Sequence, residues 1–317
     1  MELIRGLQNL KPQHRGTVAS IGNFDGVHLG HQAVLRDLGK RSREMGVPST
    51  LILFEPQPQE FFAAVSAPLR LTRFMEKWPL LKAASVDRVL CLKFDRTLAA
   101  MPAEEFVQKV LVDGLGVRHL SVGDDFRFGK DRRGDFGLLK RAGAAAGFEV
   151  TDTASQQAEG ERVSSTRVRA LLIEGQVQAA ARLLGRPYGL TGRVTHGERL
   201  GRTLGFPTVN LALKRRTPPL SGIFAARVAG IPGSPRDAVA YIGKRSAAAG
   251  DHWVLEAHLP GYDGDLYGRR LQVRFLHRLR EDRHFDSLDA LSVQMQQDVA
   301  AATAWLAVNV DPEKADG

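Results

Sequence analysis

The chain has 317 residues, of which 43% are hydrophobic and 25% charged, and its formal net charge is +9. This length allows two domains of ordinary size, and the composition is typical of soluble globular proteins. No run approaches the roughly 18 apolar residues of a membrane helix, residues 1–5 do not resemble a signal-peptide core, and the lone Cys91 cannot form an intrachain disulfide. We therefore expect a cytoplasmic protein that has anionic ligands and no membrane partner.

The first half of the chain alternates between β-type and helical patterns. Such alternation predicts βαβ units and a parallel sheet, in which ligands bind beyond the carboxyl ends of the strands. The β-type runs lie at 17–21, 50–54, 87–92, 118–122 and 147–151, and the helical patterns between them lie at 31–45, 69–84, 102–113 and 135–146.

A glycine-rich turn, Gly22–His31, joins the first β-type run to the first helical pattern. Backbone N–H groups at such a helix start can hold phosphate, and His28 and His31 share one helix face. The turn predicts a nucleoside triphosphate site whose imidazoles donate to phosphate oxygens; two structural histidines are the alternative. Asn23 and Asp25 either bind a ribose or stabilise the turn. A metal role is weaker, because no third ligand with suitable spacing is nearby.

Two further loops follow predicted strands at the same edge. Pro56 and Pro58 in one loop can form a flat apolar wall, and the loop 123–134 contains Phe126 and Phe128. Because these phenylalanines are two positions apart, one can face the core while the other contacts a ligand ring. Ordinary loop packing is the alternative for both loops. Three such loops at one edge favour a single site.

The segment Arg162–Arg169 combines hydroxyl groups, arginines and the start of a helix. Ser164 or Ser165 is a good N-cap, and each of these features favours phosphate binding. An ordinary N-cap with exposed arginines is the alternative.

A short helical pattern at 176–184 ends at glycine and proline, so we predict a boundary between domains 1–185 and 186–317. Beyond it, short β-type runs separated by turn signals predict an antiparallel barrel or sandwich. Ser287 is a good N-cap for one closing amphipathic helix. The β-type runs lie at 189–195, 207–213, 222–229, 236–242, 252–259 and 270–277.

The stretch that ends at Asn210 is the densest motif of the second half. Gly197, Gly201 and Gly205 permit close approach of a ligand to the backbone. Thr208 and Asn210 point to one side of a strand, and two neutral oxygen ligands suit Mg²⁺ that shares its shell with phosphates and water. A flexible hairpin is the alternative.

Glu256 stands out in the run 252–259. Strand alternation puts it on the face of Val254 and opposite Leu255. A carboxylate that faces a partly apolar interior is costly unless it is used or paired. The alternative to a functional role is a rim carboxylate that pairs with Arg269 or Arg274.

These motifs resemble, in one order along nearly the whole chain, the prokaryotic bifunctional riboflavin kinase/FAD synthetases. The first half has the family's H-x-G-H, which ends at His31, and its S-S-T-x-[IV]-R at 164–169. The second half carries the kinase motif P-T-A-N as Pro207-Thr208-Val209-Asn210, and Asp265–Gly268 and the terminal helix also match. The resemblance implies a Rossmann-like nucleotidyltransferase domain with a parallel sheet, followed by a small antiparallel β-barrel domain with a C-terminal helix.

The resemblance also implies an enzyme that phosphorylates riboflavin to FMN with ATP and then adenylylates FMN to FAD, with Mg²⁺. His28, His31 and Arg169 would be catalytic in adenylyl transfer, and Glu256 would be the base of the kinase. Thr208 and Asn210 would hold the metal. The implied ATP residues of the adenylyltransferase are Gly22, Asn23, Phe24, Asp25, His28, His31, Ser164, Ser165, Thr166 and Arg169; its flavin residues are Pro56, Pro58, Asp125, Phe126 and Phe128; and the ATP residues of the kinase are Gly201, Gly205, Pro207, Thr208 and Asn210.

The chain departs from the family pattern at three places. Gln57 stands where the family usually has histidine, Val209 replaces alanine, and Lys244–Ala247 lacks the usual proline-threonine. An adenylyltransferase with a weakened or degenerate kinase half is therefore one alternative. A basic nucleic-acid-binding or nucleotide-binding regulator is another, but the basic residues are scattered without an aromatic-basic stripe, so we expect no nucleic-acid partner. The sequence does not determine the oligomeric state.

Overall fold

A computed structural model describes residues 1–63, 65–153, 157–158, 161–197, 204–245 and 252–309. The chain divides into two compact units. Unit 1 comprises Met1–Pro68 and Thr72–Ser164; unit 2 comprises Leu69–Leu71 and Ser165–Gly317. None of the described helices is long and apolar enough to cross a membrane.

Unit 1 is built on a six-stranded parallel sheet in the order β1-β4-β3-β2-β5-β6. The five strands predicted from the sequence are confirmed, and β1 is an additional edge strand beside β4. The strand order reverses at β2, so the turn that follows β2 lies at a topological switch point. The strands are β1 Glu2–Arg5, β2 Thr17–Ile21, β3 Ser49–Glu55, β4 Arg88–Lys93, β5 Val117–Val122 and β6 Glu149–Asp152, with a small pair β7 Gln157–Ala158 and β8 Glu161–Arg162.

Helices cover both faces of this sheet. Strand alternation sends Leu51 and Leu53 into one apolar cluster and Ile52 into the other, so β3 is buried on both sides. The helices are α1 Leu29–Met45, α2 Pro58–Phe62, α3 Phe74–Ala83, α4 Arg96–Ala99, α5 Ala103–Phe106 with a π-helical continuation at Val107–Gly114, and α6 Phe136–Ala146.

Unit 2 is a closed antiparallel barrel in the order β10-β13-β12-β11-β14-β9. Phe224 and Phe275 fill its interior, with ring centroids 5.2 Å apart. The predicted strands and the closing helix are confirmed. Of the two predicted architectures, barrel and sandwich, the structure has the barrel. The elements are α7 Ser165–Ile173, α8 Val177–Leu184, β9 Tyr188–Thr195, β10 Thr208–Ala212, β11 Gly222–Ala229, β12 Arg236–Arg245, β13 His252–His258, β14 Arg270–Arg280 and α9 Leu288–Val308.

Helix α9 lies on the outside of the barrel. Ser287 caps it by accepting a hydrogen bond from the Ala290 N–H, as predicted. Its Ala302 and Leu306 pack on Ala225 of β11. The buried Asp298 carboxylate pairs with Arg280 at the end of β14, with Nη2–Oδ2 at 2.7 Å. This ion pair joins the helix to the barrel wall.

The helices α7 and α8 group with the barrel by their contacts, because the division of the chain falls between Ser164 and Ser165. The predicted boundary after Gly185 rests on helix stop signals in the sequence and not on contacts. It therefore stays a prediction.

We expect Asp298→Ala to lower the free energy of unfolding of unit 2 by about 3 kcal/mol, because it leaves a partly buried guanidinium without its carboxylate. Urea unfolding followed by circular dichroism measures the loss. Asp289→Ala is the control on the same helix, since Asp289 is exposed and its charge affects only the helix end, by at most about 1 kcal/mol. Equal losses in the two variants would contradict the structural role of the ion pair.

Candidate active sites

The two predicted histidines are neighbours at the start of α1. His28 is the N-cap residue, and its Nδ1 accepts a hydrogen bond from the His31 N–H at 3.3 Å. The two imidazole rings stack with centroids 3.7 Å apart and an interplanar angle of 17°. The ring of Phe24 lies 4.7 Å from that of His31. The turn thus presents two imidazoles and a helix N-terminus together, as expected from the sequence.

The backbone of this turn is strained. Phe24 and Val27 have φ of 46° and 43°, in the left-handed region that side chains rarely adopt, and both are buried. Contacts with Thr72 stabilise the turn: Asp25 Oδ1 accepts from the Thr72 N–H at 2.9 Å and from its Oγ1 at 3.2 Å, and the Gly26 N–H donates to that Oγ1 at 2.9 Å. Asp25 therefore stabilises the turn, which was one of its two predicted roles; ribose binding stays a prediction.

The electrostatics of His31 are set by its surroundings. Burial, and then the proximity of His28 and Lys77, lowers the pKa of His31 well below 6.5. Its Nδ1 is buried and has no hydrogen-bond partner among the described residues. His31 is therefore neutral at pH 7 and carries one ring N–H, so it can donate a hydrogen bond to a ligand oxygen without bearing charge.

The turn lies beside the chain that enters the serine motif. A Cβ on Gly30 would lie 3.5 Å from the Val163 carbonyl oxygen, so unit 1 brings these two segments together as far as Ser164. Ser165, Thr166 and Arg169 open α7 in unit 2, where Arg169 Nε donates to the Leu69 carbonyl at 2.6 Å. A phosphate role for these residues stays a prediction.

The predicted flavin loop brings its aromatic residues together. Phe126 and Phe128 stack with centroids 5.5 Å apart, and Phe128 is buried against Phe106 while Phe126 is half-buried. Phe128 and Gly134 exchange both backbone hydrogen bonds, which closes the loop. Asp125 is exposed beside them. Both rings pack on one core cluster, with Phe128 the more deeply buried, and contact of Phe126 with a ligand ring stays a prediction.

Sequence reasoning missed an aromatic cluster near Pro56 and Pro58. Phe62 is 67% exposed, although its ring contacts neighbouring phenylalanines. The adjacent Phe-Phe pair directly after Pro58 was a signal that would have found it, because a surface helix rarely exposes such a pair without use. The cluster consists of Phe54, Phe61, Phe62, Phe94 and Phe106, with ring centroids 5.3–6.4 Å apart in contacting pairs.

A cavity of about 720 Å³ lies at the carboxyl ends of β1, β3 and β4. This volume is in the range of small-molecule sites. Its wall includes Arg5, Glu55, Lys93 and Asp95, which follow or end these strands. The sequence could not reveal this cavity, because β1 was not predicted.

In the barrel, the register places the predicted kinase residues in one row. Asn210 pairs with Glu256 on the neighbouring strand, and Thr208 pairs with His258, so all four side chains are on one face. Val209 is half-buried and pairs with Ala257 on the opposite face, which it shares with the buried Leu211 and Leu255. The extra methyl groups of Val209 therefore do not lie beside the oxygen ligands.

Glu256 lies between two cavities. One, of about 310 Å³, includes Thr208, Tyr241 and an apolar wall with Phe206 and Phe285; the other, of about 330 Å³, includes Asn210, Thr195 and Gly197. Glu256 and Arg245 line both cavities. A group in either cavity can therefore reach the carboxylate of Glu256.

The partner of Glu256 differs from the predicted one. Its Oε2 pairs with Arg245 Nη2 at 3.2 Å, and Arg274 instead donates to Gln272. The reason is topological, because β13 has β10 and β12 as neighbours and β14 lies elsewhere in the barrel. The side chain points away from the barrel interior, where Leu255 and Ala257 lie, but it is buried beside an apolar cavity wall. The predicted face, shared with Val254 and opposite Leu255, is therefore the observed one, whereas the predicted pairing with Arg269 or Arg274 was wrong.

Neighbouring groups complete this surface. The Tyr241 hydroxyl donates to Asp282 at 2.9 Å, and burial, with that carboxylate, raises the pKa of Tyr241 far above its usual value, so the hydroxyl keeps its proton. His258 Nδ1 donates to the Pro207 carbonyl at 2.9 Å. Gly205 has φ of 85° and open space around the position of a Cβ. Gly201 and residues 246–247 lie outside the described part of the chain.

Comparisons with known proteins cover nearly the whole chain. The family model of FAD synthetase matches residues 10–167, and that of riboflavin kinase matches residues 184–306. Bifunctional riboflavin kinase/FMN adenylyltransferases of Pseudomonas fluorescens, Escherichia coli K12 and Haemophilus influenzae are 52%, 47% and 44% identical; they cover 97%, 95% and 96% of this chain and 98%, 97% and 99% of their own. A crystal structure described as a macrolide-efflux protein from Streptococcus pneumoniae superposes with a TM-score of 0.83 at 29% identity, over 96% of this chain and 99% of that one.

The lowered pKa of His31 predicts a stability that depends on pH. Below pH 6.5 the His31 imidazole binds a proton in the unfolded chain but stays neutral in the folded chain. The free energy of unfolding therefore decreases as the pH falls toward the pKa of His31 in the folded protein. Relative to His31→Gln, we expect the protein to lose about 1.4 kcal/mol of unfolding free energy per pH unit below 6.5. Urea unfolding at pH 7.5, 6.5 and 5.5 measures this difference.

The control for this experiment is His252→Gln, because His252 is exposed. This variant should keep the pH dependence of the parent protein. An identical pH dependence in the parent and in His31→Gln would contradict the neutral, buried state of His31.

Proposed function

The chain belongs to the bifunctional riboflavin kinase/FMN adenylyltransferase family, and on that premise we propose that it phosphorylates riboflavin to FMN with ATP and then adenylylates FMN to FAD, releasing pyrophosphate. The observation that carries the proposal is the position of Glu256 at the wall shared by two cavities, in a row with Thr208 and Asn210. This is the arrangement that phosphoryl transfer between two ligands requires. The histidine turn supplies a separate set of groups in unit 1.

Adenylyl transfer joins two groups that already carry negative charge. A phosphate oxygen of FMN attacks the α-phosphorus of ATP, and the bond to pyrophosphate breaks. The nucleophile has no proton to lose, so the site has to position groups and stabilise the spreading charge. His28, His31 and the N-terminus of α1 are donors suited to this task. Gly22, Asn23, Phe24, Asp25, Ser164, Ser165, Thr166 and Arg169 would complete the ATP site.

The flavin side of this reaction needs flat apolar surface. The half-buried ring of Phe126 and the exposed ring of Phe62 offer faces for an isoalloxazine ring. Pro56 and Pro58 would form a further wall, and the exposed Asp125 would supply polar contacts.

The kinase step has a different requirement. A riboflavin hydroxyl must lose its proton as its oxygen attacks the γ-phosphorus, while the bond to ADP breaks, and Glu256 accepts that proton. The cavity with Phe206 and Phe285 suits the flavin ring, and the more polar cavity beside Asn210 suits the phosphates. Thr208 and Asn210, two neutral oxygen donors on one face, fit Mg²⁺, which when bound would neutralise phosphate charge.

The alternative hypothesis is an adenylyltransferase whose kinase half is weakened or degenerate. It rested on the replacement of alanine by Val209 and on the segment Lys244–Ala247, but the Val209 side chain shares the face of Ala257 and not that of the oxygen ligands. Lys244 and Arg245 belong to β12, and Arg245 contacts the proposed base. We therefore prefer the bifunctional reading. We also propose a cytoplasmic location and small-molecule partners, without nucleic acid or membrane.

Incubation with riboflavin, ATP and Mg²⁺ should yield both FMN and FAD, because the groups for both steps are present. Chromatographic separation of the flavins measures the products. FAD from supplied FMN, without FMN from riboflavin, would favour the degenerate-kinase reading. Absence of both products would contradict the proposed enzyme.

Separate substitutions should divide the two activities. His28→Ala with His31→Ala should lower FAD formation by about 10² to 10³-fold, because two phosphate donors are lost, and should leave FMN formation within about twofold. Glu256→Gln, which keeps the shape of the side chain, should lower FMN formation by about 10² to 10⁴-fold and spare FAD formation from supplied FMN. Loss of both activities in either folded variant would refute this assignment.

A further inference from the structure

Lys77, on α3, is a buried cation that the motifs did not single out. Its side chain is almost fully enclosed, with the residue 4% exposed, and its ammonium group donates a hydrogen bond to the Asn23 carbonyl in the histidine turn. Removing an ammonium group from water is costly unless the group is hydrogen-bonded or paired with an opposite charge. The Asn23 carbonyl is one partner of this ammonium group, so Lys77 is tied to the turn beside the proposed phosphate site.

The segment that leads into α3 holds the turn at two places. Thr72 binds Asp25 and Gly26, and Lys77 binds Asn23 five residues later. The helix start that carries Lys77 is itself fixed, since Glu76 Oε2 accepts from the Arg73 N–H at 2.8 Å. A movement of Lys77 would therefore release one end of a turn whose backbone is strained at Phe24.

The positive charge of Lys77 affects the electrostatics of the histidine turn. Lys77 is close enough to His31 to help lower the pKa of the imidazole, so His31 brings no positive charge to the turn at pH 7. The start of α1 contributes only the partial charge of its N–H groups. An ATP triphosphate carries several negative charges and gains most from a full, fixed cation nearby.

We infer that Lys77 is a positioning residue for adenylyl transfer, which holds the Asn23 end of the turn and provides a fixed positive charge next to the phosphate site. This inference rests on the proposed adenylyltransferase activity. A purely structural clamp would make the same hydrogen bond, so the test has to separate the charge from the bond.

The test compares Lys77→Met, Lys77→Arg and Lys82→Met. The methionine keeps the length of the stem and removes the charge; the arginine keeps the charge; and Lys82 is an exposed lysine of the same helix. Each variant is assayed for FAD formation from FMN over a range of ATP concentrations, and for FMN formation from riboflavin. The titration of His31 is followed by NMR of the labelled imidazole.

For Lys77→Met we expect kcat/KM for ATP in FAD formation to fall at least 30-fold, with FMN formation within twofold of the parent. The pKa of His31 should rise, because a positive neighbour is gone. Lys77→Arg should keep at least a tenth of the parent kcat/KM and a low His31 pKa, and Lys82→Met should match the parent in both activities.

Two results would overturn the inference: FAD formation by Lys77→Met within threefold of the parent, or a Lys77→Arg protein that is no better than Lys77→Met. If Lys77→Met also loses FMN formation, the comparison of FAD formation between Lys77→Arg and Lys77→Met decides: an arginine variant that is no better than the methionine variant overturns the inference. A parent protein that forms no FAD from FMN would instead refute the proposed function.

Discussion

In the parallel sheet of unit 1, successive strands are added on one side of β2 and then on the other. The candidate site at the histidine turn depends on this reversal of strand order. The crossovers on either side of β2 leave in opposite directions, which opens a crevice beyond its carboxyl end. The turn in that crevice has to expose N–H groups and still reach the start of α1 within a few residues. It does so with buried residues at positive φ, and Phe24 and Val27 persist there because Thr72 and Lys77 hold the turn.

The barrel of unit 2 meets a different demand by simpler means. Strand alternation separates interior from exterior, and the register then lines up the exterior oxygen groups of Asn210 and Glu256. Helix α9 leaves an apolar cavity on this side of the barrel, and its ion pair through Asp298 keeps it in place. Unit 1 thus offers hydrogen-bond donors without a base, as the proposed adenylyl transfer needs. Unit 2 offers a carboxylate beside oxygen ligands, as the proposed kinase step needs.

Local patterns predicted much of this arrangement. The central strands were clear because they are continuous apolar runs. Helix spacing predicted that His28 and His31 are neighbours, although His28 caps α1 and does not lie within it. The relation of Thr208 to Asn210 followed from the period of a strand. Contacts across long stretches of chain were beyond reach: Thr72 is 47 residues from Asp25, and Arg245 contacts Glu256 only because of the β12–β13 register. The edge strand β1, with four residues, lacked a pattern long enough to be recognised.

The departures from the family pattern show why the face of a residue matters more than its place in a motif. Val209 lies between two proposed metal ligands in sequence, yet alternation alone sends it to the other side of the strand. Gln57 is a different case, because its side chain is buried and its Nε2 has no partner among the described residues. Histidine there could take up a proton, whereas glutamine can only hydrogen-bond. Since adenylyl transfer to a phosphate needs no base, the loss of a titratable group at position 57 is compatible with the proposed chemistry, and a buried amide still leaves a donor at the edge of the sheet where the flavin would bind.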